Sequence, residues 1–205
     1  MTLLGLVHLY NLRLMSDREI STLVTEAQKG DRDAFRLLYE HFVRRIYNFL
    51  FRMLGSVEEA EDLAQQTFLT ALQQIGTLRD ATQIESWIYR IARNEVYQKF
   101  RRKRPDSLEE SGIELQKIPE DRFHSNPEEI VLHRELESVI QKTLSMLPAK
   151  LREVFILGVV QELSYSEVAS IIGRSALSVK TDVYRARCQI RDILQKHFPD
   201  AKLSD

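Results

Sequence analysis

A chain of 205 residues, 43% hydrophobic and 29% charged, is apolar enough to fold and long enough for one large or two small domains. Only 7 Gly and 5 Pro disfavour a turn-rich β protein, and the single Cys188 excludes an intrachain disulfide framework and cannot by itself build a zinc site. The net charge of -1 hides segregation: residues 86–104 carry Arg90, Arg93, Lys99, Arg101, Arg102, Lys103 and Arg104 against Glu95 alone, whereas 105–130 is dominated by Asp and Glu.

The opening "MTLLGLVHLYNLRLM" is apolar but too short to span a bilayer, and His8, Asn11 and Arg13 interrupt it. It lacks the early cationic region and small-residue cleavage site of a signal peptide. Residues 1–15 are therefore expected to be an extension ahead of the fold, either mobile or preceding the natural start at Met15.

Ser16 or Asp17 can cap a first helix that stops near Gly30. Asp31 can cap a second, in which Phe35, Leu38, Tyr39, Phe42, Ile46, Phe49, Leu50 and Met53 follow helical spacing until Gly55. Ser56 and Glu59 form a capping box for a third helix reaching about Ile75, with an apolar stripe of Ala60, Leu63, Ala64, Phe68, Ala71, Leu72 and Ile75. The connection "GTLRDATQIE" leads into a fourth, "SWIYRIARNEVYQKFRRKRP", which Pro105 stops. These four define a helical domain over residues 16–104.

Residues 105–130, proline-containing, acidic and without periodicity, read as a flexible linker. Helical spacing resumes in "PEEIVLHRELESVIQKTLSML", and Pro148 begins a second, smaller bundle; this domain spans 131–198, with a tail at 199–205. The fold class is all-α: two helical bundles joined by an acidic flexible linker.

Three surfaces stand out. In the fourth helix Ile88, Tyr89, Ala92, Val96 and Phe100 fall on the core side, and Trp87, Arg90, Asn94, Tyr97 and Arg101 lie opposite. Cations for phosphates, an amide for a base edge and rings for stacking suit a single strand, where stacking contributes about 1–3 kcal/mol per base. A solvated helix face with Trp87 in the core is the other reading. In the third helix Asp62, Gln65, Gln66, Leu69 and Gln73 form a stripe of acid, amides and one apolar residue, suited to a partner helix or to plain solvation.

The third surface lies in "SYSEVASIIGRSALSVKTDVYRAR". Ser164 and Glu167 make a capping box, Gly173 can end the short helix in the left-handed conformation, and Ser175 can cap the next. This is a helix-turn-helix pattern. Val179, Val183, Ala186, Ile190 and Ile193 point inward, leaving Ser178, Lys180, Thr181, Tyr184, Arg185 and Arg191 for the major groove, with Asp182 flanking or paired to a cation. An αα-hairpin without DNA is the plainer alternative.

"AEDLAQQTF", "SWIYRIARN" and "LPAKLREVFILGVVQELSYSEVASIIGRSALSVKTDVYRAR" together resemble, in order and spacing, the bacterial extracytoplasmic-function sigma factors of the sigma-70 family, over about residues 20–104 and 130–195. The resemblance implies a sigma region 2 domain followed by a region 4 domain. It implies that Asp62, Gln65, Gln66, Leu69 and Gln73 dock on the β′ clamp helices of core RNA polymerase, with Gln66 standing where the family usually has an acid. The loop Leu78, Arg79, Asp80, Thr82 would take a flipped −10 base, and Trp87, Arg90, Arg93, Asn94, Tyr97 and Arg101 would hold the opened −10 strand. Ser175, Ser178, Lys180, Thr181, Tyr184 and Arg185 would read the −35 duplex, with Leu177 and Asp182 departing from the usual residues. The linker would run through the polymerase's RNA exit path, beside the β subunit.

The expected partners are core polymerase, promoter DNA and an anti-sigma factor, in the cytoplasm, without membrane insertion. Catalysis is not expected: His8, His41, His124, His133 and His197 are scattered without ligand spacing, and no cofactor or metal is implied. A stand-alone helix-turn-helix regulator is the alternative; it would dimerise and bind duplex alone.

Overall fold

The computed structural model describes residues 15–102 and 137–197; most of the expected extension, the acidic linker and the tail lie outside the described residues. Every regular element among them is helical. The first domain has α1 (Asp17–Gln28), α2 (Arg32–Leu54), α3 (Val57–Gln74), two short 3-10 turns (Ile75–Thr77 and Ala81–Gln83) and α4 (Ile84–Arg102). The second has a helical stretch, α5, over 137–145, then α6 (Ala149–Phe155) running into a π turn (Ile156–Val160), α7 (Tyr165–Ile172) and α8 (Ala176–His197).

Local chemistry sets these boundaries. Ser16 accepts from the Glu19 amide while the Glu19 carboxylate accepts from Ser16 N at 2.7 Å, a reciprocal cap that holds the Glu19 carboxyl below its ordinary range. Asp31 accepts from the Asp33 and Ala34 amides at the start of α2, and Gly55, at φ 76°, closes its end in the left-handed region that a Cβ disfavours.

Leu38, Phe42, Ile46, Phe49, Leu50 and Met53 of α2 pack on Ala60, Ala64 and Phe68 of α3 and on Ile88, Tyr89, Ala92 and Val96 of α4. Two stripe assignments need correcting. Tyr39 lies at the rim, 41% exposed, with its ring edge-on to Phe68 at 4.8 Å. Leu72 is 49% exposed, because its three-residue spacing from Leu69 places it on the outer flank of α3.

The two domains pack on one another, and residues of both contribute to one buried apolar cluster. At the end of α2, Gln141 donates to the carbonyls of Phe51 and Arg52 at 3.3 Å, and Arg152 donates to that of Met53 at 2.8 Å. Three successive carbonyls at this helix end thus find partners in the second domain, that of Phe51 in addition to the Gly55 amide it already accepts. A guanidinium there also suits the negative end of the helix dipole.

Candidate nucleic-acid interface

The connection from α3 to α4 is a fixed loop. Gln28 of α1 reaches across to donate to the carbonyls of Ile75 at 3.0 Å and Leu78 at 2.7 Å. Asp80 then caps the second 3-10 turn, accepting from the Thr82 hydroxyl at 2.7 Å and its amide at 2.9 Å. These two bonds hold the Asp80 carboxyl below its ordinary range. Between this loop and α4 lies a cavity of about 300 Å³, lined by Thr77, Leu78, Arg79, Asp80, Gln83, Ser86, Trp87 and Arg90, and by Ser170 of the second domain.

Leu78 is buried in the apolar cluster, so it forms a wall of this cavity and not a projecting contact. Trp87 is half-buried and packs on the core with one side while lining the cavity with another, which combines the two readings of its position. Arg79, Thr82, Arg90, Asn94 and Arg101 are exposed.

The second domain engages much of this face. Arg90 donates to Ser170 O at 3.0 Å and to its hydroxyl at 3.2 Å. Arg93 Nε meets one oxygen of Glu153 at 2.6 Å, and the Tyr97 hydroxyl donates to the other at 2.9 Å. The Arg93 guanidinium also lies over the Tyr97 ring, 4.6 Å from its centre. Burial raises the Glu153 carboxyl above its ordinary value, against the opposing pull of Arg93 and Tyr97. Burial, and then the Glu153 charge, push the Tyr97 phenol upward, so it stays protonated and can donate. Helical period puts Arg90 and Tyr97 on an outward face, and the family resemblance adds Arg93; their partners lie 80, 56 and 60 residues away, beyond the reach of local periodicity.

On α3, Asp62, Gln65, Gln66, Leu69 and Gln73 are all exposed on one stripe, with Leu69 at 50%. Leu72 extends the apolar part of this surface, and its assignment to the core hid that.

In the second domain the Ser164–Glu167 reciprocal cap starts α7 and Gly173, at φ 71°, ends it. Ser175 Oγ accepts from the Ser178 amide at 3.2 Å to begin α8. Lys180, Thr181, Tyr184 and Arg185 are exposed, while Val179, Val183 and Ala186 are buried. Ser178 is half-buried and takes a hydrogen bond from Arg174, and the Thr181 hydroxyl donates back to the Leu177 carbonyl at 3.0 Å. Asp182 is buried, paired with Arg174 at 2.5 Å and Arg185 at 3.6 Å, so its charge is balanced within the domain.

A helical domain with a ready cavity beside exposed cations, joined to a helix-turn-helix, is the class of a two-domain promoter-recognition factor. A family profile described as Sigma-70 region 2 matches residues 38–105, and one described as Sigma-70, region 4 matches residues 137–190. The chain is 34% identical over 183 residues to the ECF RNA polymerase sigma factor SigW of Bacillus subtilis (strain 168), covering 86% of this chain and 97% of that protein. It therefore belongs to the ECF sigma factors of the sigma-70 family.

The fold is similar to that of CnrH in its complex with the cytosolic domain of CnrY, at a TM-score of 0.67 and 21% identity, covering 87% of this chain and 98% of that one. It is also similar to the sigma factor RpoE in its complex with the anti-sigma factor NepR from Bartonella quintana, at a TM-score of 0.61 and 23% identity, covering 80% and 98%. Among the described residues no helix is long and apolar enough to cross a membrane.

Proposed function

We propose that this sigma factor binds core RNA polymerase through the Asp62, Gln65, Gln66, Leu69 and Gln73 face, reads the −35 element as duplex with α8, and holds the −10 element as an opened strand on α4. The observation that carries this reading is the cavity lined by Leu78, Arg79, Asp80, Gln83 and Trp87, at the start of the helix that further along exposes Asn94. A concave site with a ring, an acid and cations fits an extruded base, whose unstacking costs a few kcal/mol. Lys180, Thr181, Tyr184 and Arg185 stand at the exposed start of α8, where a recognition helix meets the major groove.

Neither face needs to bind tightly alone. Core enzyme supplies the nonspecific affinity and fixes the distance between two weak grips. The corresponding division is a 16–104 region 2 domain and a 131–198 region 4 domain, acting in the cytoplasm as a specificity subunit and not as an enzyme. A structural neighbour is held by an anti-sigma factor, which favours a similar inhibitory partner here.

Transcription in vitro with purified core enzyme and a genomic fragment library tests this. Expected are discrete start sites that share two upstream elements and appear only when both chain and core enzyme are present. Specific duplex binding of equal strength without core enzyme would instead establish a stand-alone regulator.

A further inference from the structure

The start of α8 leaves an apolar side chain in water that packing within the fold does not explain. Leu177 is 75% exposed, the highest value for a large apolar side chain among the described residues. Tyr184, at i+7, is exposed too, and exposed Thr181, at i+4, lies between them on the same side of the helix. Leu177 is not a residue usual at this place in the sigma factors the chain resembles, so whatever it touches is particular to this chain.

The polar groups around it are mostly engaged. Arg174 donates to Asp182 at 2.5 Å and to the Ser178 hydroxyl, and the Thr181 hydroxyl donates to Leu177 O at 3.0 Å. What this end of α8 offers outward is therefore an apolar stripe with cations beside it. On the helical period, exposed Lys180 and Arg185 flank that stripe on its two sides. Asp182, the acid among these residues, is buried and paired.

That surround selects the partner. An anion must meet the cations on both flanks while something apolar covers the leucine between them. The major groove has phosphates along both edges, and its floor carries one apolar group, the 5-methyl of thymine. Where a recognition helix begins is also where its side chains reach base edges.

We propose that Leu177 reads the 5-methyl group of a thymine in the −35 duplex, with Thr181 and Tyr184 continuing the contact along the groove and Lys180 and Arg185 on the phosphates at its edges. Leu177 is then a specificity-determining residue. Burying one methyl against it is worth a factor of about four in affinity. Cytosine lacks the methyl and adds an amino donor that a leucine leaves unpaired, so it is refused more strongly. This deepens the assignment of α8 to the −35 duplex and rests on it.

The test uses holoenzyme, formed from core enzyme and the full chain, on a promoter located by transcription of the genomic library. Each −35 thymine, on either strand, is replaced in turn by deoxyuridine, which pairs alike and lacks only the methyl. Binding is measured by competition with the unmodified promoter. Expected for the wild-type chain is a loss of about fourfold at one thymine. Leu177→Ala, which circular dichroism should show to be folded at so exposed a site, should bind the unmodified promoter about fourfold more weakly. It should also lose the preference for thymine over deoxyuridine at that position alone, a coupling that two independent contacts do not show. A −35 element without thymine, no position sensitive to the methyl, or equal sensitivity in both chains overturns the contact. Lys180→Ala combined with Arg185→Ala separates the two levels of the reading. If that variant binds the −35 duplex as the wild type does, the assignment of α8 to the duplex fails. If it binds more weakly while thymine and deoxyuridine stay equivalent for the wild type, only the role of Leu177 fails, and its side chain is left to a protein partner.

Discussion

The two faces suited to nucleic acid are kept in opposite conditions. On α8, Leu177 is 75% and Tyr184 68% exposed, Lys180 stands in solvent, and the one acid among them, Asp182, is neutralised inside its own domain. On α4, Arg93 and Tyr97 are half-buried and tied to an acid from the other domain. If α8 is the duplex reader proposed above, its ligand is available without preparation and it can stay uncovered. An unpaired strand exists only after opening, and a basic, aromatic face left bare would take any single strand it met. On the proposed reading, the asymmetry follows the scarcity of each ligand.

The strongest way to break this contrast is at Arg152. It donates to carbonyls of both domains and is nearly fully buried, and burial lowers its pKa from the usual guanidinium range. Arg152→Ala leaves those acceptors without their charged donor. It should cost about 3 kcal/mol in chemical denaturation, with the domains parting before the second domain unfolds. A single transition with unchanged midpoint would show that Arg152 supports neither.

The open face is tested by its charge. Lys180→Ala combined with Arg185→Ala should weaken engagement of the −35 duplex by holoenzyme across sequences. It should also reduce the slope of log affinity against log salt by about two, one for each phosphate left without its cation. Arg185 also pairs with Asp182, so its removal should cost little stability at so exposed a site. A slope that does not change would remove both cations from the phosphate backbone.

A smaller effect separates the turn of the helix-turn-helix from its packing. A Cβ at Gly173 would meet nothing within 4 Å, but φ 71° is strained for any side chain, so Gly173→Ala should cost about 1 kcal/mol. A Cβ at Gly158 would sit 3.6 Å from Val183 and 3.7 Å from Tyr165, ordinary contact distances. Gly158→Ala should be close to neutral in thermal melts.

Much of this was legible from neighbours in sequence. Ser16, Asp31, Gly55, Ser164 and Gly173 cap where their types suggest, because capping is decided within four residues. The core phases of α2 and α4 follow from period alone. Tyr39 and Leu72 escaped because a stripe has edges, and period does not say how wide a neighbour will cover. The covering of α4 was illegible for a different reason. Arg93 and Glu153 meet across 60 residues, and each alone looks like an ordinary surface residue; Tyr89 reads as core, but its hydroxyl's partner Gln161 lies 72 residues away. The adjacent Arg152 and Glu153, set in a short helix whose next residue Val154 is fully buried, were the one local hint.

The gentlest prediction concerns pH, and its sign runs against intuition. An Arg–Glu pair suggests a contact that acid would release. Burial raises the Glu153 carboxyl in the closed form, with the domains packed on one another, and the opposing effects of Arg93, Tyr97 and Arg174 do not cancel it. Glu85 behaves alike: burial raises it despite Arg45, and Glu167 of the second domain adds to the rise. In an open form both carboxyls would meet more water and titrate nearer 4.5. Between that value and the raised one, the closed form binds more protons than the open form, so lowering the pH draws the equilibrium toward closure. That contribution is complete below the ordinary value and fades as the pH rises through the raised one. Scattering of the free chain at pH 5 should therefore show a radius no larger than at pH 7.5, with single-strand binding no tighter at matched net charge. Expansion at pH 5 with helicity retained would mean that the ionic pair, and not the burial of its acid, governs the contact.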